Sequence, residues 1–89
     1  MLKVVYDGHF KRQLKSYQKN RYNMQTFQTV LVSLAQEETL PAKYKDHALS
    51  GNWQGHRECH IGPDWLLIYK VTEENLVLVA TGSHDELFR

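Results

Sequence analysis

Cysteine is nearly absent: Cys59 stands alone, so the chain can form no internal disulfide and holds no cysteine-rich metal framework. That usage points to a reducing compartment, and in a stretch that reads as a strand Cys59 is expected to be a buried small hydrophobe, not a reactive thiol. No apolar run approaches membrane-spanning length, and Met1-Leu2-Lys3-Val4-Val5-Tyr6 lacks signal-peptide anatomy. A soluble cytoplasmic protein with no membrane partner is the expectation. No repeat, linker or low-complexity segment divides the chain. Zinc-type motifs such as HExxH and CxxC are missing too. His56 and His60 lie four residues apart on a strand, about 13 Å, too far to chelate one ion. Only His60 with Asp64, His47 and His84 could assemble a ligand set, and no metal or other cofactor is expected.

Charge of one sign is scarce overall, with a net of only +1, but it is unevenly placed. Residues 1–45 hold eight Lys/Arg and three Asp/Glu, while residues 46–89 hold three and seven. The basic half suits phosphate, although a solvated helix face explains it as well.

What is present makes one domain over residues 1–89, with a modest core. Leu2 to Tyr6 is a β-branched run that reads as a strand, broken by Asp7-Gly8. From His9 to Asn20, Phe10, Leu14 and Tyr17 recur at helical spacing, and Lys11, Lys15 and Lys19 form a second stripe beside Arg12. Asn23 suits the N-cap of a second helix whose core face is Met24, Phe27, Leu31 and Leu34. Leu40-Pro41 ends it, and the two helices form an αα-hairpin. Residues 41–54 read as a loop. Three strands follow, roughly 55–60, 65–71 and 76–81. Gly82 stops the last, and Ser83 with Glu86 can cap one helical turn. The class is α+β: an N-terminal strand, an αα-hairpin and a three-stranded antiparallel meander in one sheet, with helices on one face.

The stretch from His56 to Tyr69 organises the second half. Gly62-Pro63-Asp64 is turn chemistry between a polar run and the most apolar run of the chain. With four-residue loops, His60 faces Trp65, Glu58 faces Leu67, His56 faces Tyr69, Tyr69 faces Leu78 and Leu67 faces Ala80. All would share one face, with Cys59, Leu66, Ile68, Val77 and Val79 on the other. A slip of one residue reverses that assignment.

His47, His60, Asp64 and His84 then invite one chemistry. Histidine, with an unperturbed pKa of about 6.5, both takes and gives protons near neutrality. RNA cleavage through its own 2′-hydroxyl needs such a pair: a base for the 2′-OH and an acid for the departing 5′-oxygen, with a cation near the phosphate. Arg57 or a protonated histidine can supply that charge, although ideal alternation points Arg57 away from His60. Asp64 can orient a histidine, yet turn geometry also accounts for it.

The stretches Tyr44-Lys45-Asp46-His47-Ala48-Leu49-Ser50-Gly51, Arg57-Glu58-Cys59-His60, Pro63-Asp64-Trp65-Leu66-Leu67-Ile68-Tyr69 and Thr81-Gly82-Ser83-His84-Asp85-Glu86-Leu87-Phe88 carry a resemblance. In this order they resemble the YafQ branch of the RelE/ParE toxin superfamily, over essentially the whole chain. The resemblance implies a type II toxin that enters the ribosomal A site and cuts mRNA, leaving a 2′,3′-cyclic phosphate and a 5′-hydroxyl. It implies catalytic roles for His47, His60, Asp64 and His84, with Phe88 near the substrate. His84 is then the expected acid, with His47, Asp64 or His60 as base or base-orienter. It also implies a DinJ-type ribbon-helix-helix antitoxin, through which alone operator DNA would be bound. One departure stands out: Ala80 occupies a position where relatives often carry arginine. With a near-neutral total charge, ribosome binding would lean on Lys11, Lys15 and Lys19. The alternative is a RelE-like module that only partners an antitoxin.

Overall fold

The computed structural model describes residues 1–19 and 22–88. Strand β1 (Lys3–Tyr6) leads into helix α1 (Gly8–Lys19), whose apolar residues Phe10 and Tyr17 turn inward at helical spacing. Helix α2 (Met24–Ala35) starts as expected at Asn23, whose side-chain oxygen accepts the backbone N–H groups of Gln25 and Thr26. It buries Phe27, Val30, Leu31, Leu34 and Ala35. The expected end of the first helix at Asn20 lies outside the described residues. The 41–54 connection is more structured than a loop. It contains two single 3₁₀ turns, Ala42–Tyr44 and Gly51–Trp53, around a two-residue strand β2 (His47–Ala48).

Strands β3 (Arg57–Gly62), β4 (Trp65–Val71) and β5 (Asn75–Gly82) form the expected meander. The sheet order is β1-β5-β4-β3-β2, with β1 parallel to β5 and the other pairs antiparallel. Five strands thus share the sheet, because β1 joins the meander at one edge and β2 at the other. The helix-side core joins Phe10, Tyr17, Phe27 and Leu31 to Cys59, Ile61, Trp65, Leu67, Tyr69, Leu76 and Leu78. Trp65 is its centre, with Tyr17 stacked at 5.1 Å and 5° and Phe27 at 6.2 Å. Its indole N–H donates to Thr81 Oγ1 at 2.9 Å, and that hydroxyl donates to the Leu66 carbonyl at 2.7 Å.

The register differs from the expected one, and the faces change with it. The β3–β4 loop has two residues, Pro63 and Asp64, with Asp64 at φ 52° and Gly62 paired to Trp65. Ile61 is then an extra residue, a bulge, so His60 faces Leu66, Glu58 faces Ile68, Cys59 faces Leu67 and Arg57 faces Tyr69. A second irregularity after Ile68 sets Ile68 against Ala80 and Leu67 against Thr81, while Tyr69 meets Leu78 as expected. The corrected helix face holds Cys59, Trp65, Leu67 and Tyr69. The opposite face holds Glu58 and His60 beside Leu66, Ile68 and Ala80. The second loop holds the expected four residues, Thr72 to Asn75, but a one-residue shift in the first exchanges the side chains of β4 between faces and moves Trp65, Leu67 and Tyr69 to the helix side.

Candidate active site

Two neighbouring strands bring the first histidine to Glu58. In the β2–β3 pairing His47 stands directly opposite Glu58, and Glu58 and His60 are two apart on one strand, hence on one face. The Glu58 carboxylate is 3% exposed. One of its oxygens lies 3.2 Å from His60 Nε2 and 4.0 Å from His47 Nε2. His47 Nδ1 sits 2.7 Å from the Lys45 carbonyl, which can only accept, so Nδ1 carries the hydrogen. That leaves Nε2 as the ring nitrogen directed toward Glu58.

The third histidine arrives from the C-terminal segment. Helix α3 (His84–Leu87) carries a complete capping box, with Ser83 Oγ accepting the Glu86 N–H and Glu86 accepting the Ser83 N–H. Two more contacts dock it. The His84 backbone N–H donates to Asp64 Oδ1 at 3.0 Å across the hairpin turn, and the Tyr17 hydroxyl donates to Glu86 Oε1 at 3.0 Å. Gly82 is buried beneath it, and a Cβ there would meet Glu86 Oε1 at 3.0 Å, so the missing side chain permits the close approach. The His84 ring ends 6.1 Å from His60 and 5.6 Å from Phe88, with its Nδ1 4.0 Å from Asp64 Oδ1. Phe88 in turn meets Trp53 at 6.4 Å, and Trp53 meets His56 at 5.4 Å.

The expected residues therefore divide. His47, His60, Asp64, His84 and Phe88 gather along one side of the sheet. Arg57 does not join them: its Nε donates to Asp46 Oδ1 at 3.3 Å, on the face where Tyr69 donates to the same oxygen at 2.6 Å. Burial alone would lower the pKa of this guanidinium, but its bonds to Tyr69 and Asp46 outweigh that and raise it. Burial, reinforced by the Asp46 bond, pushes the Tyr69 phenol up. Lys11, Lys15 and Lys19 are exposed on α1, in the helix layer. No set of three or more His, Cys, Asp or Glu among the described residues is arranged to hold a metal ion, so the four-ligand arrangement does not form there.

The two-residue spacing of Glu58 and His60 puts both on one face in the sequence, but the burial of Glu58 against His47 comes from the pairing of β2 with β3. Trp53 and the Tyr17–Glu86 contact depend on long-range packing and left no local mark.

The geometry offers two exposed imidazoles, His47 and His84, flanking a third that is held by a buried carboxylate. Such a row can take a proton at one end and give one at the other. Comparison with known proteins bears on what it does. Residues 2–89 match the family model described as a bacterial toxin of type II toxin–antitoxin system, YafQ. The chain is 40% identical over 86 residues to the mRNA interferase toxin YafQ of Escherichia coli K12, covering 96% of this chain and 94% of that one. It superposes on YafQ in the Escherichia coli DinJ–YafQ complex with a TM-score of 0.91 at 38% identity, both chains fully covered. A metal-bound toxin from Helicobacter pylori matches with a TM-score of 0.93 at 42% identity, over 99% of this chain and all of that one.

Proposed function

The chain belongs to the YafQ family of bacterial type II toxins, and from that premise we propose that the histidine row is the active site of its mRNA interferase activity. The protein is an endoribonuclease toxin. The observation that carries the site assignment is the convergence of His47, His60 and His84, from three separate segments, around buried Glu58 and the turn residue Asp64.

In this reading His47 Nε2 removes the proton from the 2′-hydroxyl, and the oxygen attacks the adjacent phosphorus. The bond from phosphorus to the 5′-oxygen breaks as His84 protonates that oxygen. The products are a 2′,3′-cyclic phosphate and a 5′-hydroxyl. His60, bonded to Glu58, lies between the two and faces the charge that grows on the phosphoryl oxygens. Asp64 anchors the acid by holding the His84 backbone, and Phe88 offers a ring on which a base can stack. The substrate is mRNA in the ribosomal A site, approached through Lys11, Lys15 and Lys19. The antitoxin is of the DinJ type, and operator DNA is reached through it.

A second reading, an antitoxin-binding module without catalysis, draws on one observation. Among the described residues no arginine joins the histidine row: Arg57 is committed to Asp46, and Ala80 is packed opposite Ile68. Induction of the wild-type protein alone in a bacterium separates the two. Interferase activity produces new mRNA 5′ ends that disappear with His84→Ala. Tight antitoxin binding with no new 5′ ends would favour the module.

A further inference from the structure

Beside His60 a cavity of ≈ 380 Å³ is lined by Thr26, Lys43, Tyr44, Lys45, His60 and the turn from Ile61 to Pro63. His60 lines this cavity and also belongs to the histidine row, so the two adjoin at that residue. No acidic side chain lines it. Among the described residues neither Lys43 nor Lys45 has an ion-pair partner, in contrast to Arg57.

Local structure places both lysines. The 3₁₀ turn Ala42–Tyr44 is closed by the Lys45 N–H to the Ala42 carbonyl at 3.0 Å, with Lys45 in the left-handed region at φ 50°. Lys43 Nζ lies 5.2 Å above the Tyr44 ring. The Lys45 carbonyl is also the group that orients His47. One short turn therefore carries both cations and the carbonyl that orients the base.

The geometry points to this cavity as a phosphate subsite for the RNA backbone next to the cleaved linkage, with Lys43 and Lys45 as its cationic walls. It rests on the ribonuclease reading and extends it. The subsite supplies positive charge that Arg57 and Ala80 do not. It sets which neighbouring nucleotide is gripped, independently of base identity.

The test pairs Lys43→Gln/Lys45→Gln with ribosome-bound synthetic mRNA carrying one neutral methylphosphonate, placed in turn at each phosphate flanking the cut. Two phosphate contacts on a single strand carry a salt slope of about 1.4, so the double variant should lose about 25-fold in single-turnover efficiency at 0.1 M salt. One methylphosphonate position should slow the wild type and cost the variant nothing more. Lys3→Gln/Lys70→Gln, outside the cavity, should leave efficiency within about twofold. Multiplying losses at every position, or equal losses in the two double variants, would overturn the subsite. Binding is read separately by amide shifts of the free protein with a 2′-deoxy-blocked RNA trinucleotide. Shifts at Lys43–His47 and His60–Gly62, lost in Lys43→Gln/Lys45→Gln, support the subsite even if the wild type cuts no mRNA, in which case the ribonuclease reading alone fails. Shifts confined to other residues, or none, would overturn it.

Discussion

Replacing His84 by alanine isolates the proton donor. The His84 side chain is 59% exposed, and the structural bond at this position runs from its backbone N–H to Asp64, which alanine retains. The stability cost should therefore stay within about 0.5 kcal/mol, as for other exposed positions. Its Nδ1 is 4.0 Å from Asp64 Oδ1, beyond hydrogen-bond range, so the ring is free to turn toward a phosphate. The 5′-alkoxide is a strong base and departs slowly without a proton. Removing a general acid should cost about 10²–10⁴ in rate, or about 2.7–5.4 kcal/mol of barrier. The assay is single-turnover cleavage of ribosome-bound mRNA with either oxygen or sulfur at the bridging 5′ position. A thiolate leaves without protonation. His84→Ala should be slow on the oxygen substrate and close to wild type on the sulfur one, and His47→Ala should be slow on both. Equal defects of His84→Ala on the two substrates would refute the assignment, leaving His84 as a phosphate contact or a positioning residue.

Other outcomes follow from the same geometry. Glu58→Gln keeps the volume but removes the charge 3.2 Å from His60; a bond to a charged group contributes about 1.5–3 kcal/mol, so cleavage should fall about ten- to hundredfold with ribosome affinity unchanged in a pelleting assay. Reversing Lys11, Lys15 and Lys19 to glutamate should weaken ribosome binding and reduce its salt slope by about 2; an unchanged slope would mean a merely solvated stripe. Thr81→Val leaves the Trp65 N–H buried without its acceptor at a cost of about 2 kcal/mol, seen as a melting temperature about 8–16 °C lower. Burial pushes the Cys59 thiol up to about 12, so the folded state holds its proton while the unfolded state releases it; stability should decline as pH rises from about 9 toward 12. Burial raises the Tyr17 and Tyr69 phenols in the same direction, so Cys59→Ala should flatten that alkaline decline in urea melts only in part.

Much of this protein is local and therefore legible in order along the chain. Helical spacing of Phe10, Leu14 and Tyr17, the Asn23 cap, the Ser83–Glu86 box and the Gly62-Pro63-Asp64 turn each act within a few residues, and each forms as its chemistry dictates. Alternation alone put Glu58 and His60 on one face. The matching motifs also marked His47, Asp64, His84 and Phe88, which the fold gathers. Tertiary structure decided what lay between these segments. Ile61 bulges because the hairpin closes with two residues, not four, and a two-residue period leaves no partial answer: the partners of His60 and Glu58 change from Trp65 and Leu67 to Leu66 and Ile68, while Ala80 keeps the histidine face. The pairing of β2 with β3 joins His47 to Glu58 across eleven residues of chain, and the Tyr17–Glu86 bond ties α1 to α3 across 69. Such contacts depend on which surfaces meet after burial, and no local pattern of residues encodes that meeting.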